Sequence, residues 1–188
     1  MAREKISPEE LSIEPLNARF NLTPFDSGEE DLNEFLKQDA LGEQQILLNK
    51  THICFCRDRV AGYIALVADS VRVDRLDDCE STDTCKYPIY PCLLIARLAV
   101  DKRLHGRGLG TYLLLFAIGA ALDGPIGCRY LVVDPKDDAV KFYEDFGFRY
   151  LKKSHRMFLN IREAAMQLKP LESLDPWMDD PSYENRSG

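Results

Sequence analysis

The chain has 188 residues, a length that suits one domain with a core of its own. Hydrophobic residues make up 45% and charged residues 29%, a balance that excludes a largely disordered protein. The formal net charge of -7 argues against broad, non-specific binding of nucleic acid, although a local basic patch is compatible with it.

Membrane and targeting segments are not evident in the sequence. The longest uncharged apolar run, Leu109–Leu122, is too short to cross a bilayer. The N-terminus passes directly into polar residues, without the apolar segment of a signal peptide. We therefore expect a cytoplasmic protein without membrane contact.

Six cysteines occur without any C-x-x-C pair, which argues against a zinc ribbon or a thioredoxin-like motif. His52, Cys54 and Cys56 alternate along a predicted strand and could hold a metal. Small thiols more commonly fill the core, so we expect no metal site. Cys79 and Cys85 lie in a polar stretch and could pair, although a reducing compartment favours free thiols.

The first half of the chain is predicted to form a strand, a helix and a hairpin. The residues Asp26–Gly28, followed by the acids Glu29–Asp31, are typical of a helix start. A polar turn at Asp58–Arg59 separates two runs rich in apolar and β-branched residues, which indicates the hairpin. The predicted bounds are Leu11–Leu16 for the strand, Glu29–Leu48 for the helix, and Thr51–Arg57 with Val60–Val67 for the hairpin.

The second half alternates between strands and helices after a polar loop, Leu76–Pro91, that is long enough to indicate function. This alternation predicts a partly parallel sheet, while the hairpin predicts antiparallel pairing, so we expect a mixed α/β fold. Residues 1–168 are predicted to form one domain, and residues 169–188 an acidic tail rich in proline and serine. The predicted strands are Cys92–Val100, Tyr130–Asp134, Phe148–Leu151 and Met157–Ile161, and the helices are Gly108–Leu122 and Asp137–Phe146.

A glycine-rich turn between a strand and a helix is the most informative segment of the chain. Gly106, Gly108 and Gly110 would let the backbone approach an anion closely, and the start of the helix offers unpaired amides. The spacing differs from the dinucleotide pattern G-x-G-x-x-G, and no Gly-Lys-Ser/Thr follows, which excludes a P-loop. The segment predicts a phosphate-binding turn, with a glycine turn that binds no ligand as the alternative.

The residues Val100–Leu114, together with Phe142–Phe148, resemble the GNAT superfamily of acetyl-CoA-dependent N-acetyltransferases. His105-x-x-Gly108-x-Gly110 corresponds to the family's pyrophosphate loop, with His105 where glutamine or arginine is usual. Lys136 stands where the family often has asparagine. The resemblance implies a mixed central sheet of six to seven strands flanked by helices, with two splayed parallel strands at the centre.

The resemblance also implies a cofactor, acetyl-CoA, and the residues that serve it. The pantetheine arm would lie between the strands Cys92–Val100 and Tyr130–Asp134. Tyr143 would protonate the departing CoA thiolate, because a phenol stays protonated at neutral pH. Alternatively, Tyr143 only packs with neighbouring phenylalanines. The implied cofactor-binding residues are Leu98, Ala99, Val100, His105, Gly106, Arg107, Gly108, Leu109, Gly110, Thr111 and Lys136.

A narrower resemblance concerns the acceptor. The segments Phe25–Gly28, Leu32–Leu36 and Gly62–Leu66 resemble the GNAT toxins of toxin–antitoxin pairs, which acetylate the α-amine of aminoacyl-tRNA. The stretch Leu93–Val100 contains no acid to serve as a base, which favours an α-amine, since that amine is already partly neutral. Asp69 or an acid of the following loop could still act as the base.

Other acceptors and functions stay open. The loop acids Asp74, Asp77, Asp78, Glu80 and Asp83 would repel a phosphate backbone, although several arginines, among them Arg97, could offset them. A protein N-terminus, a lysine or a polyamine is therefore the alternative acceptor. A CoA-binding regulator without catalysis is the alternative of another class.

The helix Leu109–Leu122 contains no charged residue, so something must cover its outer face. We predict a homodimer or a stable partner complex, in which a small antitoxin protein could be the partner. Cover from within the chain is the alternative, by the helix that begins at Glu29 or by the tail with Trp177 and Met178.

Overall fold

A seven-stranded sheet forms the centre of the molecule in the computed structural model, which describes residues 4–76 and 87–168. Its order is β1-β2-β3-β4-β5-β7-β6, and β4 with β5 is the one parallel pair among the described strands. The predicted mixed α/β fold is confirmed. The strands are β1 Leu11–Pro15, β2 Lys50–Cys56, β3 Arg59–Arg72, β4 Ile89–Val100, β5 Tyr130–Val133, β6 Arg149–Tyr150 and β7 Met157–Asn160.

Helices cover both faces of this sheet. On one face, side chains of α3, α4 and α5 share a core with the sheet residues Ile64, Ile95 and Leu131. On the other face, the N-terminal helical segment packs through Phe35 and Leu36 on β2 and β3. The helices are α1 Glu30–Glu34, α2 Ala40–Gln45, α3 Leu109–Asp123, α4 Val140–Asp145 and α5 Ile161–Leu168, with a π-helical turn, Phe35–Asp39, between α1 and α2.

The N-terminal helix differs from its prediction at both ends. Ser27 does not cap it. The Ser27 hydroxyl instead accepts a hydrogen bond from the Glu29 amide, and the Asp26 carboxylate accepts one from the Gly28 amide, which makes a tight turn before the helix. The helix ends at Gln45 rather than near Leu48, and Leu47 then adopts a positive φ of 65°. A non-glycine residue in this conformation cannot continue a right-handed helix.

The predicted hairpin is present, with its turn one residue earlier in the chain. Arg57 and Asp58 form the turn, with φ values of 48° and 65°. Positive φ at both central residues fits the right-handed twist of the flanking strands. The second strand extends to Arg72, and its partner β4 begins at Ile89, within the predicted loop.

The helix α5 was not predicted, and it packs against α3 through the buried residue Ala164. It therefore covers part of the uncharged helix from within the chain. The N-terminal helix does not do so, because it lies on the opposite face of the sheet. Cover of α3 by the N-terminal helix, one of the alternatives of the sequence analysis, is therefore wrong.

Several predictions concern residues outside the described ranges: the Cys79–Cys85 pair, most of the loop acids, and the tail 169–188 with Trp177 and Met178. Within residues 4–76 and 87–168, no group of histidine, cysteine and acidic side chains could hold a metal. Cys54 lies free in the core. No helix in the same ranges is both long and apolar enough to span a bilayer.

Candidate active site

A β-bulge lies near the centre of the sheet, between β3 and β4. Ala65 pairs with Arg97 while the next residue of β3, Leu66, pairs with Ile95, so Ala96 is an extra residue in β4. A bulge bends its strand and increases the local twist. The parallel pairing of β4 with β5 ends at Ile95 and Val133, and β4 continues for five residues without it.

A cleft of about 350 Å³ lies where the two parallel strands part. Residues from β4, the end of β5, α4 and the first turn of α1 enclose it. The predicted splayed strands at the centre of the sheet are thereby confirmed. The cleft is lined by Glu29, Asp31, Leu32, Ile95, Ala96, Arg97, Leu98, Val133, Asp134, Pro135, Lys136, Asp138, Ala139 and Tyr143.

Tyr143 reaches this cleft from α4 and is almost entirely buried. Its ring makes edge contacts with Phe142 and Phe148, at centroid distances of 5.1 and 5.3 Å. Burial raises the pKa of the Tyr143 hydroxyl to about 12, so the group holds its proton at neutral pH. The packing role and the position required of a proton donor are therefore compatible.

The glycine-rich turn leads from β4 into α3. Gly106 and Gly108 adopt φ values of +76° and +89°, which side chains disfavour, and Gly108 directly precedes the helix. A Cβ at Gly106 would meet nothing within 4 Å, and one at Gly108 only the side chain of Lys5 at 3.9 Å. The turn thus presents open backbone beside the amides of a 15-residue helix, which fits a diphosphate.

The polar side chains of this turn bind the protein's own backbone. The His105 Nε2 donates to the carbonyl of Val100 at 2.8 Å, so it braces the turn. The Arg107 Nε donates to the carbonyl of Glu4 at 3.0 Å, and the Ile6 amide donates to the carbonyl of Arg107 at 3.1 Å. The surface that the turn leaves open is consequently made largely of backbone.

Lys136 closes one side of the cleft. Its ammonium lies 2.9 Å from a carboxylate oxygen of Glu29 and 3.0 Å from one of Asp31. The hydrogen bond from Lys136 holds the pKa of Asp31 below its usual value, and the same two carboxylates raise the pKa of Lys136. The loop after β5 is in this way tied to the first turn of α1.

A second set of ion pairs centres on Arg156, which directly precedes β7. Arg156 donates to both carboxylate oxygens of Asp134, at 2.9 and 2.7 Å, and to Asp69 at 2.6 Å. Asp69, which the sequence analysis suggested as a base, is therefore ion-paired with Arg156.

Asp101 connects the glycine turn to the segment before α1. Its carboxylate is completely buried and accepts hydrogen bonds from Arg103 at 2.7 and 2.6 Å and from the Asp26 amide at 3.3 Å. Burial opposes its ionisation, but the hydrogen bonds from Arg103 and the Asp26 amide, with the Arg103 charge, together outweigh burial and lower the pKa of Asp101. The Lys102 amide also donates to the Asp26 carbonyl at 2.8 Å.

Residues 14–148 match the Acetyltransferase (GNAT) family. The chain belongs to this family. The predicted superfamily is confirmed, and with it the class of enzyme.

Known relatives of this acetyltransferase include bacterial toxins. A tRNA-acetylating toxin of Mycobacterium tuberculosis is 37% identical over 141 residues, which cover 68% of this chain and 78% of the toxin. The structure of AtaT complexed with acetyl-methionyl-tRNAfMet superposes with a TM-score of 0.77 at 25% identity, covering 84% of this chain and 99% of AtaT. A tyrosine-to-phenylalanine mutant of AtaT, bound to the C-terminus of the antitoxin AtaR and acetyl-CoA, gives a TM-score of 0.67 at 25% identity, covering 85% and 98%.

The structure separates the predicted site residues of this acetyltransferase into two groups. Leu98, Lys136 and Tyr143 line the cleft. The other predicted residues lie outside its lining: Ala99, Val100, His105, Gly106, Arg107, Gly108, Leu109, Gly110 and Thr111. Gly110 nevertheless adjoins α4, because a Cβ there would lie 3.5 Å from the Phe142 ring.

Sequence reasoning missed the residues that close the cleft from other parts of the chain. Glu29 and Asp31 were noted only as helix-start acids, and Asp134 only as the end of a strand. Local sequence does not indicate that these three side chains line one cleft. The resemblance of Phe25–Gly28 and Leu32–Leu36 to the toxin branch was the signal near Glu29 and Asp31.

Proposed function

We propose that this acetyltransferase moves an acetyl group from acetyl-CoA to the α-amine of aminoacyl-tRNA. The cleft between the splayed strands, with the buried hydroxyl of Tyr143 in its wall, carries the proposal. The similarity to the M. tuberculosis toxin and to AtaT supports the choice of acceptor.

Acetyl-CoA, when bound, supplies an acetyl group activated as a thioester. The open backbone of Gly106 and Gly108, with the first amides of α3, would hold its phosphates. Leu98 would line the path of the pantetheine arm. These assignments, including those of Ala99 and Val100, belong to the proposal, whereas Lys136, held by Glu29 and Asp31, is proposed to close the acceptor side of the cleft.

Tyr143 is proposed to hold a proton at its Oη for the departing sulfur. The raised pKa of about 12 keeps that proton in place before the reaction. The same burial would also make a bare thiolate unfavourable beside the phenol, since low polarity disfavours any small anion. Proton donation at this position would therefore assist departure of the thiol.

The lack of an acid on β4 favours an acceptor amine that loses its proton easily. β4 contains no acid between Ile89 and Val100, and the carboxylates of Glu29 and Asp31 share the ammonium of Lys136. An α-amine has a pKa of about 7.7–8.0, whereas a lysine amine has one of about 10.4. An α-amine acceptor thus suits the site better than a lysine or a polyamine.

We also propose a protein partner, either a second copy or an antitoxin. AtaT has been solved with the C-terminus of its antitoxin AtaR. In this chain, α5 leaves Leu122 of α3 exposed, and Ile126 is 75% exposed just beyond it. The consecutive residues Ile46, Leu47 and Leu48 are exposed as well. Apolar side chains grouped in this way are typical of contact surfaces. A cytoplasmic location is part of the same proposal.

A panel of acceptors tests the acceptor assignment. The protein is incubated with acetyl-CoA and, separately, with charged tRNA, a peptide with a free N-terminus, a lysine peptide or a polyamine, and the products are identified by mass spectrometry. We expect acetylation of charged tRNA at a kcat/KM well above that of the other acceptors. A preference for the peptide or the polyamine would overturn the acceptor assignment, and slow thiol release unaffected by every amine would favour a CoA-binding regulator.

A further inference from the structure

Arg97 has an unusual place among the cations around the cleft. It is the one charged residue of β4 and directly follows the bulge residue Ala96. Its side chain is exposed and contributes to the lining of the cleft. A charged side chain at the centre of a sheet, beside a reaction cleft, calls for a role beyond packing.

The contacts of Arg97 fix its position without neutralising it. Its guanidinium lies 5.2 Å from the centroid of the Phe35 ring, and its Nη1 donates to the Ala96 carbonyl at 2.7 Å. Within residues 4–76 and 87–168, no carboxylate forms an ion pair with it, although its charge helps to lower the pKa of the nearby Asp31. Lys136 and Arg156, in contrast, each engage two carboxylates. Arg97 thus offers several N–H donors to an anion from outside.

The proposed acceptor carries such an anion. In an aminoacyl-tRNA, the reacting amine is joined through an ester to the terminal ribose, and the 5′ side of that ribose bears a phosphate. An amine that enters the cleft therefore brings a phosphate towards the cleft wall. A peptide N-terminus has no corresponding anion, and a polyamine would be repelled by the guanidinium.

We propose that Arg97 binds the terminal phosphate of the RNA acceptor and so selects nucleotide-linked amines over peptides and polyamines. The planar guanidinium matches a phosphate with two parallel hydrogen bonds. Because the Arg97 guanidinium stacks on Phe35, its orientation is already fixed, and less conformational entropy is lost when the phosphate binds. This inference rests on the proposed function and names the contact that gives it specificity.

Two acceptors and two variants test this contact. The kcat/KM is measured for aminoacyl-tRNA and for an aminoacyl-adenosine, which carries the same amine and ribose without a phosphate. For Arg97→Ala, we expect a loss of roughly 10- to 100-fold with aminoacyl-tRNA, the range for a hydrogen bond to a charged group, and little change with aminoacyl-adenosine. Arg97→Lys keeps the positive charge but lacks the planar guanidinium, so it should retain part of the kcat/KM that Arg97→Ala loses with aminoacyl-tRNA.

The salt dependence gives a second readout of the same contact. Loss of one phosphate contact should reduce the slope of log KM for tRNA against log salt concentration by about 0.7. Arg19→Ala is the matched control, because Arg19 is an exposed arginine in the loop before α1, hydrogen-bonded to Asn17 and outside the cleft lining. This control should leave both acceptors and the slope unchanged.

The outcomes separate the two proposals. Suppose that the native protein acetylates charged tRNA. If Arg97→Ala then lowers kcat/KM equally for both acceptors, or for neither, Arg97 does not bind the phosphate and the inference is wrong. If native protein acetylates neither nucleotide-linked acceptor, the proposed function itself fails. Circular dichroism of the variants establishes that Arg97→Ala is folded.

Discussion

The glycine turn and the cleft, which we call the cofactor end and the acceptor end of the proposed site, are built in different ways. The glycine turn is one continuous segment, residues 100–111, and it presents backbone while His105 and Arg107 bind carbonyls of the chain itself. The acceptor end is assembled from α1, β4, the end of β5 with the loop that follows it, and α4. It presents charged side chains from Asp31, Arg97 and Asp134.

This difference has a physical consequence for specificity. A surface of backbone amides depends on conformation rather than on particular side chains, so it suits a ligand with an unchanging diphosphate. A wall of charged side chains can change its preference through single substitutions. We therefore expect substitutions in the glycine turn to affect every reaction of the enzyme, and substitutions at the acceptor end to affect the choice of amine.

The largest effect is expected at Gly108. A valine there would have to adopt a φ of +89°, which β-branched residues disfavour, and its side chain would occupy the proposed phosphate surface. We expect Gly108→Val to abolish the rise in melting temperature that acetyl-CoA produces by binding the native state. Differential scanning fluorimetry measures this shift.

Gly119→Ala is the control, because Gly119 lies within α3 and a Cβ there meets nothing within 4 Å. It should keep the shift. An undiminished shift in folded Gly108→Val protein would remove the glycine turn from the cofactor site.

The next largest effect is expected at Tyr143, between the two ends. Tyr143→Phe keeps the ring and its contacts with Phe142 and Phe148 but removes the hydroxyl group that would donate the proton. We expect acetyl-CoA binding to persist while kcat falls roughly 100-fold, within the range for general acid catalysis. Because the pKa of Tyr143 is about 12, native activity should show no loss from this group until the pH approaches that value.

Steady-state rates of Tyr143→Phe are compared with those of Tyr150→Phe, which removes a hydroxyl from an exposed residue of β6. The control should react at the native rate. Native turnover by Tyr143→Phe would leave Tyr143 a packing residue only.

A smaller effect concerns Asp101, which joins the two ends through Arg103 and Asp26. Replacing a buried carboxylate that accepts charged hydrogen bonds should lower the free energy of unfolding of Asp101→Asn by about 2 kcal/mol at neutral pH. The folded pKa of Asp101 is lowered, so its contribution is present above the unfolded value of about 3.9 and is lost as the pH falls through the folded value.

Urea unfolding at neutral and acidic pH measures this prediction, and the difference from native protein should shrink in acid. Asp74→Asn breaks an exposed pair with Arg72 and should change stability far less. Equal effects of the two substitutions would mean that the buried hydrogen bonds of Asp101 add no more stability than an exposed ion pair.

The smallest effect on stability is expected at Lys136. Its partners Glu29 and Asp31 are half-exposed, so Lys136→Gln should lower the free energy of unfolding by less than about 1 kcal/mol, and less in high salt. Because these pairs lie at the acceptor end, we expect the KM of the acceptor to change more than that of acetyl-CoA.

Lys141→Gln, which breaks an exposed pair within α4, is the control for the loss of a lysine. A rise confined to the KM of acetyl-CoA would return Lys136 to the cofactor end, where the family resemblance had placed it.

The sequence predicted most of what depends on neighbouring residues. The glycine turn, the aromatic segment with Tyr143 and the order of strands and helices follow from local spacing and from conformations that only glycine adopts readily. The hairpin was also predicted, but its turn was placed one residue too late. Arg57 and Asp58 adopt positive φ values, and no glycine marks the turn in the sequence.

The remainder depends on contacts between distant parts of the chain. The extra residue Ala96 follows from how β4 pairs with β3, and no pattern within β4 indicates it. The helix α5 was missed because its first residue, Ile161, continues an apolar strand, and its buried Ala164 is visible only once α3 lies beside it. The meeting of Lys136 with Glu29 and Asp31 likewise required the folded sheet.

The most direct test of the central claim follows a labelled acetyl group from acetyl-CoA. Native protein is incubated with acetyl-CoA that carries an isotopic label in its acetyl group and with either charged or deacylated tRNA. The ester that joins the amino acid to the tRNA is then hydrolysed. Transfer to the α-amine predicts label only with charged tRNA, recovered afterwards as the N-acetyl amino acid. Label that stays on the nucleotide, or equal labelling of deacylated tRNA, would contradict the account.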